Sequence, residues 1–236
     1  MTERHAALTF RALSALLSYP SEELCSAVPE IEEAITAEKL VPTSVLSALH
    51  PLFNDLASLD LFELQERYVE LFDRSRRLSL HLFEHVHGES RDRGQAMVDL
   101  AALYARDGLE LQANELPDYL PLFLEYLSTK PLGEALSLLS ETVHILGALE
   151  ERLVSRASPY AAVLTAIRVM AGVPLDAPGE ADLSEGGVAD LAALDAEWEE
   201  TTVTFGPGSG AMDGCSTERL QTRLRAAHRD ARSNAH

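Results

Sequence analysis

DLFELQERYVELF, residues 60–72, sets Leu61, Leu64, Tyr68, Leu71 and Phe72 at spacings of three and four, so they share one face of a helix. Asp60 followed by Glu63 resembles a capping box at its start. The same rhythm continues on both sides. Downstream, a helix is predicted from about Asp92 to Asp107, with Asp92 and Gln95 capping it and Gly108 ending it in a left-handed turn. Its apolar stripe is Met97, Leu100, Ala101 and Tyr104. A long helix is expected from Leu132 to Val154. Ser158-Pro159 reads as cap and first turn of another, which stops near Gly172 and Pro174. Upstream, Ser21 and Thr43 each follow a proline and start further helices. The only β-branched run, Thr201 to Phe205, stands alone, and an isolated strand is not stable. The expected fold is therefore all-α, a single bundle of about eight helices.

Domain organisation follows composition. Residues 1–172 carry the helical pattern. Between Val169 and Thr217 there is no Lys or Arg but there are ten Asp or Glu, with Pro174, Pro178, Gly179, Gly186 and Gly187 interrupting any helix. Residues 173–205 thus read as an acidic linker with a short docked helix around Leu191, Leu194 and Trp198. Residues 206–236 read as a flexible Gly-rich stretch and a basic tail with five arginines.

The net charge of -19 opposes binding to nucleic acid or anionic lipid, both of which need Lys and Arg against phosphate. It favours a basic peptide instead. Cys25 and Cys215 form no CxxC pair and suggest neither a disulfide framework nor a thiolate metal site. No segment approaches the ~20 apolar residues of a membrane span, and the N-terminus lacks a signal pattern. A cytoplasmic protein with no direct membrane insertion is expected.

The densest chemistry lies in LSLHLFEHVHGESRDRGQAMVDL, residues 78–100. His81, Glu84 and His85 match H-x-x-E-H, the order of inverted zinc peptidases. On a helix the two imidazoles would lie one turn apart and Glu84 could polarise a bound water. The competing reading makes these half-buried histidines at a helix–loop junction, hydrogen-bonded to carboxylates or backbone, with Arg91 and Arg93 paired to nearby acids. A second run, LPDYLPLFLEYL at 116–127, is apolar on nearly every face, with Asp118 as the expected cap. Such a helix is either buried in its own chain or covers a partner. No phosphate loop, dinucleotide fingerprint or nucleophile elbow is present.

YVELFDRSRRLSLHLFEHVHGESRDRGQAMVDL and LPDYLPLFLEYLS closely resemble the assembly chaperones of respiratory nitrate reductase, often called its delta subunit and related to the redox enzyme maturation chaperones. RALSALLSYPSEEL and DAEWEETTVTFG resemble them too, so the likeness runs over roughly residues 8–206. The resemblance implies an all-helical chaperone that is not an enzyme and holds no cofactor. Its implied partner is the immature catalytic (alpha) subunit, including its N-terminal segment. The chaperone keeps that subunit competent for iron–sulfur and molybdenum cofactor insertion before membrane docking. The residues implied to bind the client are Tyr68, Asp73, His81, Glu84, His85, His87, Arg91, Arg93, Gln95, Met97, Pro117, Asp118, Tyr119 and Glu125. Gly88 and Gly94 are expected to serve tight turns. The alternatives are a chaperone for a dimethyl sulfoxide, trimethylamine oxide or formate enzyme, and the zinc peptidase.

Overall fold

The computed structural model describes residues 7–87, 91–112 and 115–175. The acidic linker from 176 onward, the run 201–205 and the basic tail lie outside the described residues. Eleven α-helices, nine of them with seven or more residues, and no strands make up the described chain. They are α1 (Ala7–Leu16), α2 (Glu22–Ser26), α3 (Val28–Glu38), α4 (Thr43–Ser58), α5 (Leu61–Tyr68), α6 (Glu84–His87), α7 (Arg91–Arg106), α8 (Leu120–Ser128), α9 (Leu132–Ser140), α10 (Val143–Ser155) and α11 (Ala161–Met170).

Helix α8 is the spine. Leu120 to Leu124, Tyr126, Leu127 and Ser128 are buried, and only Glu125 is exposed. Helix α1 lies along it through Phe10, Leu13, Leu16 and Leu17, all fully buried. The buried Ser14 hydroxyl donates to the Pro121 carbonyl at 2.7 Å, so the polar atom between the two helices is satisfied. Helix α3 is tied to α1 by Glu38, which accepts from the Thr9 hydroxyl and amide at 2.6 and 2.9 Å. Helix α4 buries Val45, Leu49, Leu52, Phe53 and Leu56 against α3 and α11. Helices α10 and α11 form a hairpin locked by Arg168 and Glu150, whose carboxylate also takes the Thr165 hydroxyl.

Several local expectations hold. Ser21 caps α2 by accepting the Leu24 amide, and Asp60 caps α5 by accepting the Phe62 amide. Gly108 follows α7 at φ +85°, a backbone state that favours glycine. Other expectations are corrected. The long helix from Leu132 to Val154 is two, α9 and α10, bent by 68°. Ser140 and Thr142 turn their hydroxyls back onto the Ser137 and Leu139 carbonyls, competing with the helix ladder at the break. Helix α5 continues into a π turn, Val69–Asp73, closed by the Arg74 amide on the Val69 carbonyl. Helix α11 starts at Ala161 rather than at Pro159, because Ser158 and Pro159 form a tight turn before it. Gly94 lies inside α7 and serves no turn. Among the described residues no single helix is long and apolar enough to cross a membrane.

Candidate functional site

The loop after the π turn is held down by a run of buried residues. Leu78, Leu80, Leu82 and Phe83 are at most 3% exposed and Ser79 is buried with them, while His81 and Glu84 are half-buried. This loop then pairs with the segment leading into α8. The Leu82 amide donates to the Asp118 carbonyl at 2.9 Å, and the Leu120 amide donates to the Leu80 carbonyl at 2.8 Å. His81 and Tyr119 therefore face each other across an isolated antiparallel bridge, with ring centroids 5.3 Å apart.

Asp118 is fully buried beneath them. Its carboxylate accepts the Phe83 amide at 3.1 Å and the His81 Nδ1–H at 3.1 Å. It caps no helix, because Tyr119 is the residue that precedes α8. Asp118 instead fastens one loop to the other and fixes the imidazole's orientation. Pro117 is buried as well, and its carbonyl accepts the Tyr104 hydroxyl at 2.8 Å.

Tyr68, at the end of α5, reaches the same place. Its hydroxyl lies 2.8 Å from the Leu17 carbonyl and 2.9 Å from the Tyr119 hydroxyl. A carbonyl only accepts, so Tyr68 donates to Leu17 and Tyr119 donates to Tyr68. Tyr19, just beyond α1, stands edge-on to the Tyr68 ring at 5.5 Å and is 49% exposed. Phe72 and Tyr160 pack behind Tyr68 at 4.8 and 6.2 Å. Burial raises the Tyr68 and Tyr160 hydroxyls well above the ordinary tyrosine value and pushes Tyr119 upward as well, so all three stay protonated. Asp73 is exposed nearby, and its charge reinforces the shifts of Tyr68 and Tyr119.

One step along the loop, His85 donates from Nε2 to the Ser79 carbonyl at 2.7 Å. Burial and the Arg152 charge hold its imidazole below the usual histidine value, against the pull of the Ser79 carbonyl. Glu84 pairs with Arg93 at 3.2 Å, tying α6 to α7. Burial works to raise the Glu84 carboxyl, but hydrogen bonds from Ser79 and Arg93 outweigh it and leave it below the usual range.

These facts correct the zinc reading. His81 is in the extended bridge, three residues before α6 begins at Glu84, so the two imidazoles are not one helical turn apart. Each is engaged in a hydrogen bond to protein, His81 with Asp118 and His85 with Ser79. No group of three metal-ligating side chains occurs among the described residues.

Tyr68, His81, Asp118 and Tyr119 thus come together with Asp73 at the edge, and Glu84, His85 and Arg93 continue the loop beside them. Three other candidates lie apart. Gln95 bonds Asp99 on the exposed side of α7, Met97 packs partly on the core, and Glu125 is the exposed residue of the spine. The side chains of His87 and Arg91 lie outside the described residues. Tyr19, Ser79 and Tyr160 escaped the sequence reading. Ser79 accepts from His85 through its carbonyl and from the His81 amide through its hydroxyl, and no side-chain motif reveals either. Tyr19 left only a bulky aromatic before Pro20 as its signal. Taken together, the surface offers an aromatic floor with a hydroxyl, an imidazole edge and a carboxylate at its rim.

Comparison with known proteins adds the following. The model of the nitrate reductase delta subunit family matches residues 19–166. The nitrate reductase molybdenum cofactor assembly chaperone NarJ of Escherichia coli K12 is 44% identical over 207 residues, 87% of this chain and 88% of that one. The probable NarJ chaperone of Bacillus subtilis is 32% identical over 66% of this chain and 84% of its own. The crystal structure of a redox enzyme maturation protein from Archaeoglobus fulgidus superposes with a TM-score of 0.54 over 73% of this chain and 98% of that chain. At 23% identity it speaks to the fold alone.

Proposed function

The chain belongs to the nitrate reductase delta subunit family, and on that basis we propose how it serves as a chaperone for nitrate reductase molybdenum cofactor assembly. It is an assembly protein and not an enzyme. Its client is the immature catalytic (alpha) subunit, which it meets in the cytoplasm and engages through the N-terminal segment of that subunit. It holds the client open for iron–sulfur and molybdenum cofactor insertion and delays docking to the membrane. The contact surface is the patch of Tyr19, Asp73, His81 and Tyr119, supported from below by Tyr68 and Asp118.

The observation that carries this reading is the bridge between the two most family-like stretches of the sequence. His81 and Tyr119 come from those stretches and face each other, half-buried, with ring centroids 5.3 Å apart over a packed aromatic floor. The net charge of -19 supports it by drawing a basic segment towards the surface. A patch of this modest size suits a client that must leave once folded.

Deleting the gene in nitrate-respiring cells tests the role. The expected client is translated but inactive and poor in molybdenum and pterin; a client loaded to the normal level would overturn the reading. Capture of the chain from the same cells tests the client. Recovery of the nitrate reductase catalytic subunit is expected, and recovery of a different molybdoenzyme subunit alone would reassign it.

A further inference from the structure

Hydrogen bonds at the patch run inward. Tyr119 donates its hydroxyl proton to Tyr68, and Tyr68 donates its own to the Leu17 carbonyl. Neither hydroxyl has a second proton to offer a ligand. His81 gives its Nδ1–H to the Asp118 carboxylate at 3.1 Å. A neutral imidazole carries one N–H, so the opposite nitrogen, Nε2, is left as a lone-pair acceptor. Asp118 is fully buried, whereas the His81 side chain is 29% exposed. The exposed part of the ring therefore lies away from the Nδ1 edge, on the side of Nε2, and Nε2 has no hydrogen-bond partner among the described residues. The Asp118 carboxylate is held from behind as well, because it accepts the buried Phe83 amide at 3.1 Å. That second bond keeps it in place as the acceptor for Nδ1.

Asp73 adds an exposed carboxylate, near enough for its charge to act on the Tyr68 and Tyr119 hydroxyls. Glu84, further along the loop, is already paired with Arg93. The Tyr119 ring stands 5.3 Å from the imidazole, and the half-exposed Tyr19 ring lies across Tyr68. These side chains offer a lone pair, a carboxylate and aromatic faces, and no N–H or O–H that points to a ligand. Their counterpart is a group that brings donors, positive charge and an apolar stem. Lysine and arginine side chains have all three.

With the client's N-terminal segment taken to bind this patch, as proposed, we infer that the patch seats a lysine or arginine side chain of that segment, which donates to His81 Nε2 and pairs with Asp73. His81 reads the donor. Asp118 is a positioning residue that keeps His81 an acceptor.

The tautomer is read first, on the parent chain, by nitrogen NMR of the imidazole with the ring neutral. A proton on Nδ1 and none on Nε2 is expected, and a proton on Nε2 would overturn the inference. Calorimetry then uses the client's N-terminal peptide and a set in which each lysine or arginine in turn becomes methionine. At least one replacement should weaken binding to the parent chain about tenfold or more. The same replacement should cost about threefold or less against His81→Phe, which keeps a ring and lacks the acceptor. Equal losses on both chains, or no loss from any replacement, would sink the idea. Asp118→Asn tests the positioning role. Its amide still accepts the Phe83 N–H but now donates towards His81, so the imidazole proton should move to Nε2 and the peptide should bind as weakly as to His81→Phe. A moved proton with parent affinity would contradict this. If that variant does not fold, the parent tautomer and the His81→Phe comparison decide alone. Tyr119→Ala against the unsubstituted peptide separates the two levels. A loss there without any effect of the cation replacements removes only the present inference, and no loss in either removes the client reading with it.

Discussion

At the scale of single residues the account turns on Asp118. Removing its carboxylate strands the Phe83 amide in the core and frees the His81 ring to rotate. Asp118→Ala should cost about 3 kcal/mol, lowering Tm by on the order of 10 °C in a chain of this length. Thermal unfolding followed by circular dichroism reads this directly. The sequence already marked Asp118, yet assigned it to a helix cap. Only the packing of two distant loops reveals that its partners are 35 and 37 residues away. Asp107 gives a pH signature. Burial acts to raise its carboxyl, but hydrogen bonds from Arg106, Lys130 and Tyr126 outweigh this and hold it at about 2. A depressed carboxyl stabilises the fold above its ordinary value of 3.8, and that contribution is lost as pH falls towards about 2. Asp107→Asn should therefore flatten the stability profile between about pH 4 and pH 2 in denaturant titrations, relative to the parent.

At the scale of elements the helical rhythm was fully legible and the breaks were not. Apolar residues at spacings of three and four locate α5, α7 and the run that becomes α9 and α10, because burial on one face imposes that period, whereas α4 was marked by Thr43 after a proline. The 68° bend between α9 and α10 leaves no such trace, since Leu139 and Leu146 remain buried on either side of it. Leu139→Asp should unfold the chain outright by placing an unpaired charge where the wild-type residue is fully buried; loss of the cooperative thermal transition is the expected readout. The glycines of α7 separate two roles. Gly108 has φ +85°, so Gly108→Ala should destabilise by about 1 kcal/mol through backbone strain. Gly94 lies inside the helix with open space around it, so Gly94→Ala should stabilise by up to about 1 kcal/mol. Urea titrations distinguish the two signs. The apolar run at 116–127 had two readings, and the core won: its helix is the spine of the bundle, and of the three residues just before it Pro117 and Asp118 are buried and only Tyr119 is half-exposed.

At the scale of the whole molecule, fold and family follow from the same residues. The bundle brings the π turn, the histidine loop and the entrance to α8 to one place, although they are spread from Tyr68 to Tyr119 along the chain. Exposure was less legible, because it depends on the bundle and not on residue type. Tyr68 and Asp118 were both marked and both are buried, whereas the half-exposed Tyr19 beside Tyr68 carried no mark. The central claim is that the patch around His81 and Tyr119 receives the N-terminal segment of the catalytic subunit. Isothermal calorimetry of the full chain against a peptide of that segment tests it most directly. Tyr119→Ala and His81→Ala, each with unchanged helicity, should weaken binding about tenfold or more, as expected of central interface residues. Parent-like affinity in both variants would contradict the account.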